Sequence, residues 1–137
     1  METMAQKRVY SCWMLIEPAE DVPGLWVSHC LNFDVIAQGE NPLEALESLR
    51  EAVTLMVSDD LLNGRDPQER VAPEEEWNKL ARIMKNGKPV KLSELKPDQK
   101  VLLATNETVV FTYIDNHPAV NQMPQIATSP VAYQPAA

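Results

Sequence analysis

The chain has 137 residues and a mass of 15.4 kDa, enough for one hydrophobic core and too little for two large domains. With 45% hydrophobic and 23% charged residues it reads as an ordinary globular chain, which excludes wholesale disorder and collagen-like or mucin-like composition. A net charge of −8 argues against whole-surface binding to phosphate backbones.

No apolar run approaches the roughly 18 residues of a membrane span, and the N-terminus leads into a strand-like segment rather than an uncharged signal core. The expectation is a soluble, cytoplasmic protein. The charge is unevenly placed. Residues 1–64 carry Lys7, Arg8 and Arg50 against eleven acids, whereas residues 65–137 carry nine of each sign. Cys12 and Cys30 lie in apolar runs and are too few for a disulfide framework, so they are read as buried reduced thiols.

The run from Arg8 to Glu17 is rich in aromatic and aliphatic residues and stops at Pro18, which predicts a strand. A second strand is expected over Leu25 to Leu31, with Leu25, Val27, His29 and Leu31 on one face and Trp26, Ser28 and Cys30 on the other. Asn32 and Phe33 then connect it to a third over Asp34 to Gln38, forming a tight antiparallel pair that ends at Gly39.

A helix follows, with Asn41 as N-cap, Pro42 at the first position and Glu44 placed to reach back to the cap. Leu43, Leu46, Leu49, Val53, Met56 and Val57 recur with a 3.6-residue period, and Asn63-Gly64 supplies the stop. This stripe is expected to cover one sheet face, with Glu47, Arg50, Glu51 and Thr54 turned to solvent.

A second, shorter helix opens at Pro73-Glu74-Glu75-Glu76 and closes at Lys85-Asn86-Gly87, charges that suit the two ends of the helix dipole. Its predicted stripe is Trp77, Leu80, Ala81 and Met84. Residues 88–100 read as a connection. Val101 to Leu103 and Thr108 to Ile114 read as two short strands or one bent one around Asn106-Glu107. From Asp115 the chain is Pro-containing and poor in apolar mass, so residues 115–137 are expected to be extended or disordered unless they dock.

The motifs offer little chemistry. His29 and His117 share no metal-binding spacing, and no nucleophile elbow, phosphate loop or dinucleotide fingerprint is present. Neither catalysis nor a cofactor or metal is expected. Glu17 and Asp34 are the carboxylates that strand ends would have to bring together for a metal-dependent hydrolase, but solvated helix-face and turn acids account for the pattern more simply. Lys79, Arg82, Lys85, Lys88 and Lys91, with Lys96 and Lys100, form a basic cluster. It is read as a solvated face, as a nucleic-acid contact, or as a surface pairing with the acidic half of a neighbouring subunit.

One block carries a resemblance: Leu15-Ile16-Glu17-Pro18, then Trp26-Val27-Ser28-His29-Cys30-Leu31-Asn32-Phe33-Asp34-Val35, Ala37-Gln38-Gly39-Glu40-Asn41-Pro42, Glu44-Ala45-Leu46 and Leu49-Arg50-Glu51-Ala52. It resembles the HicB-like antitoxins over residues 8 to about 60. The resemblance implies a degraded ribonuclease-H-like unit of three antiparallel strands and a helix, usually with a fourth strand and without catalytic acids. It implies a protein that neutralises a small, basic, RNA-cleaving HicA-like toxin, often as a homo-oligomer.

Trp26, Asp34 and Glu40 are the partner-contact candidates, with burial of Trp26 under the second helix as the alternative. Cys30, Gln38, Gly39 and Ala45 are family-pattern positions explained first by structure. After residue 64 neither a helix-turn-helix nor a ribbon-helix-helix segment is found, which puts DNA binding in doubt.

The expected architecture is therefore α+β. A HicB-like unit spans residues 1–64. Residues 65–114 add a helix and one or two strands, extending the same domain or making a dimerisation arm, and a loose tail covers 115–137.

Overall fold

The computed structural model describes residues 5–95, 100–114, 117–118 and 131–134. Strands β1 (Ala5–Pro18), β2 (Trp26–Cys30) and β3 (Val35–Gly39) lead into helix α1 (Pro42–Leu62); helix α2 (Glu74–Asn86) follows. The remaining strands are β4 (Lys88–Lys91), β5 (Leu103–Ile114), β6 (His117–Pro118) and β7 (Val131–Gln134). The main sheet runs β3-β2-β1-β5-β7-β4, every described pairing is antiparallel, and β6 pairs with β5. The fold is α+β, with α1 packed against β2 and β3 on one face.

Strand alternation sorts the side chains into two cores. Tyr10, Cys12, Met14 and Ile16 of β1 face α1 together with Trp26, Cys30, Phe33 and Val35; Leu46, Leu49, Val53 and Val57 of α1 are fully buried against them. At about 1.5–3 kcal/mol for each buried aliphatic side chain, that stripe alone holds the helix on the sheet. On the opposite face Leu15, Leu31 and Ala104 meet Ala72, Leu80 and Ile83, with Trp13, Trp77 and Tyr133 alongside.

The start of α1 follows the cap chemistry of the sequence. Asn41 Oδ1 accepts from Glu44 N–H at 2.8 Å, but Glu44 Oε1 reaches the N–H of Glu40, one residue before the cap, at 3.3 Å. Gly39 is required by close approach: a Cβ there would collide with the backbone of Glu44 and Ala45. Ser28 adds a buried tie, donating from Oγ to the Ala45 carbonyl at 2.7 Å.

Several expectations need correction. Arg50, assigned to the solvent side of α1, is 1% exposed. It lies four residues after Leu46 and three before Val53, within the buried stripe. In α2 the inward residues are Leu80 and Ile83, while Ala81 and Met84 are exposed; the helix turns its stripe about one residue from the predicted one.

Leu103–Ile114 is one strand through Asn106-Glu107, because pairing with β1 over twelve positions supplies partners that local propensity does not. The expected connection over residues 88–100 contains β4 and a 3₁₀ turn at Leu92–Glu94. Within the tail, Val131–Gln134 is a docked strand joining β4 to β5, with Ala132 buried; the rest of the tail beyond β6 lies outside the described residues.

Candidate functional site

The loop from β2 to β3 places Asp34 beside His29. Asp34 has φ 54°, the left-handed region that Asp tolerates better than most residues, and its Oδ1 lies 2.6 Å from His29 Nε2. His29 Nδ1 is 3.9 Å from Glu76 Oε2, too far for a hydrogen bond. Glu76 Oε1 accepts from Lys79 Nζ at 3.1 Å, and Lys79 also donates to Glu17 Oε1 at 3.3 Å. The ion pairs thus tie α2 to β1 and set its first turn beside β2. Burial alone would lower the Lys79 pKa, but the Glu76 hydrogen bond and the Glu17 charge together raise it above its ordinary 10.5.

Glu17 and Asp34, the carboxylates considered for metal-dependent chemistry, are not brought together. Glu17 faces Val27 in the β1–β2 register and Asp34 lies beyond Cys30, so they belong to opposite ends of that ladder and engage different partners. Among the described residues no group of three or more His, Cys, Asp or Glu side chains is placed to hold a metal ion.

Of the three partner-contact candidates, Asp34 and Glu40 are exposed and bracket β3. Trp26 requires correction: it is 4% exposed on the α1 side of β2, beneath a shallow depression lined also by Glu40, Pro42 and Leu92. It is buried, as the alternative expected, but on the α1 side rather than under α2.

Of the basic candidates, Lys79 is half-buried in its ion pairs, whereas Arg82, Lys85, Lys88 and Lys91 are exposed, with no ion-pair partner among the described residues. Residues 9–49 contain no Lys or Arg, while Glu17, Glu20, Asp21, Asp34, Glu40, Glu44 and Glu47 fall within them. Among the described residues β3, flanked by Asp34 and Glu40, and β4, which carries Lys88 and Lys91, are opposite edges of the main sheet.

Two buried charge clusters escape a reading based on composition. Arg50 Nη2 donates to Glu107 of β5, while Arg50 Nε and Nη1 have no hydrogen-bond partner among the described residues. Asp60, 1% exposed, accepts from Arg65 Nε and Arg70 Nη1 and ties the end of α1 to the following segment. The Glu107 signal was available in parity: Leu103, Val109 and Phe111, on its own face of β5, are all buried against α1.

Cys12 and Cys30 are free and fully buried on the α1 face. A hydrogen bond to Cys30, reinforced by burial, pushes the Cys12 thiol upward, away from thiolate chemistry.

Comparison with protein-family models, curated proteins and solved structures finds no match to this chain. Among the described residues no helix is long and apolar enough to cross a membrane.

Proposed function

We propose that the chain is a HicB-like antitoxin, a non-enzymatic cytoplasmic protein that binds a small basic HicA-like toxin and blocks its RNA-cleaving surface. The observation that carries this reading is the acidic rim around β3, with Asp34 and Glu40 exposed and no Lys or Arg from residue 9 to residue 49. Such a surface attracts a cationic RNA-binding partner and repels nucleic acid, so electrostatic complementarity would supply both steering and selectivity. The arrangement of three antiparallel strands with α1 across them agrees with the fold implied by the resemblance, and oligomerisation belongs to the same proposal.

The test uses a small basic HicA-like protein encoded beside this chain and a labelled RNA; the absence of such a neighbouring gene would favour the second reading below. Stoichiometric addition of the full chain is expected to stop cleavage, and a Glu40→Lys variant to require more protein for the same effect. Undiminished cleavage with saturating chain would overturn the reading.

A second reading is favoured by the exposed Arg82, Lys85, Lys88 and Lys91: an orphan HicB-like oligomeric regulator without a toxin, contacting nucleic acid through its β4 side. Four phosphate contacts predict a slope of about −3.6 for log affinity against log salt with duplex DNA. A slope near zero, or no retention at low salt, would dismiss it.

A further inference from the structure

The two edges of the sheet are built differently. At the β4 edge, Lys88, Pro89 and Lys91 occupy three of four positions, a charged strand with one backbone donor missing, which discourages pairing. The β3 edge has none of these protections. Its sequence is Val-Ile-Ala-Gln-Gly, without charge or proline, and Ile36 is 62% exposed. Among the described residues no strand pairs with its outer side.

This edge is also held firmly. Val35 is buried against the α1-side core, Gly39 is wedged against the α1 backbone, and all five residues are in register with β2. A fixed, unpaired row of backbone donors and acceptors is a template for an added strand.

Charge selects the occupant. Asp34 and Glu40 stand immediately before and after the strand, and Glu44 hydrogen-bonds the Glu40 backbone. A symmetric antiparallel pairing of two copies about Ala37 would bring the Asp34 end of one strand beside the Glu40 end of the other, placing like charges together at both ends. A segment with Lys or Arg at those positions meets opposite charge instead.

We propose that the outer edge of β3 receives an extended, cation-flanked segment of a partner protein by strand addition, with Ile36 packing against its apolar side chain. The inference rests on the protein-binding reading above and names the surface that performs it.

The experiment measures binding of the full chain to a fluorescent peptide of alternating Val and Thr flanked by Lys. Its control carries the same charge but has Pro at alternate positions. The unblocked peptide is expected to bind about tenfold or more tightly than the Pro control and to slow exchange of the β3 amides that point away from β2. Ile36→Lys, at a solvent-facing position, is expected to weaken it by a further factor of about ten through like charge and lost apolar contact.

Equal binding of the two peptides would reduce the attraction to charge alone and overturn the proposal. So would protection, in the free monomer, of the β3 amides that point away from β2, which would mean that another segment of this chain covers the edge. Self-association dispersed by Ile36→Lys would assign the edge to a second copy and also overturn it.

The RNA-cleavage assay separates this inference from the antitoxin reading. If Ile36→Lys neutralises toxin as well as the parent chain, the edge proposal fails and the antitoxin survives. If the peptide results hold but the parent chain neutralises nothing, the antitoxin reading fails and the edge proposal stands.

Discussion

Removing the charge of Glu107 exposes the main electrostatic liability of the core. Arg50 is 1% exposed, and Nη2, its donor to Glu107, is the only guanidinium nitrogen not left unpartnered among the described residues. Glu107→Gln keeps the side chain's size but leaves a buried cation without its counter-charge, at an expected cost of about 3 kcal/mol. Arg50→Met leaves the carboxylate instead. Because the Glu107 side chain is 13% exposed and retains some access to water, the expected cost is smaller, about 1–2 kcal/mol.

The double variant is expected to lose about 2 kcal/mol less than the sum of the two single variants, since the second change removes a group already deprived of its partner. Urea unfolding followed by tryptophan fluorescence reads all four corners of this cycle. Additivity within about 0.5 kcal/mol, or a Glu107→Gln cost below that of Arg50→Met, would refute the reasoning.

Gly39→Ala is expected to destabilise by about 3 kcal/mol, because the added methyl meets α1 backbone rather than a side chain that can move; an unchanged urea midpoint would contradict that close approach. Lys79 has a folded pKa raised above 10.5, so its contribution to stability is complete below the unfolded value and is lost as pH rises through the folded one. The stability difference between the parent chain and Lys79→Met should therefore hold up to about pH 10.5 and shrink above it, as pH rises through the folded value; a constant difference there would remove the charge from the explanation. Because both are fully buried, Cys12 and Cys30 should resist alkylation by iodoacetamide in the native protein and react once it is unfolded; rapid native labelling would show that the α1-side core opens.

The sequence by itself determined the elements whose causes are local. The alternation of Trp26, Ser28 and Cys30 against Val27 and His29 sorts β2 into its two faces, and Asn41-Pro42 with the Leu46-Leu49-Val53-Val57 stripe defines α1 and its sheet-facing side. Asp34 and Glu40 are surface acids on either reading, since a turn and a helix entry expose them. Arg50 and Glu107 are 57 positions apart. A charge on a helix reads as solvent-facing until a distant strand supplies its counter-ion, so although parity puts Glu107 on the inward face of β5, only the tertiary structure pairs it with Arg50.

The same holds for β5, whose local break at Asn106-Glu107 is overridden by the β1 ladder, and for β7, which has too little apolar mass to form without neighbours. The identity of the two sheet edges also depends on three-dimensional order. Residue spacing cannot reveal that β3 and β4 end as opposite edges, because that follows from which strands find one another across long stretches of chain.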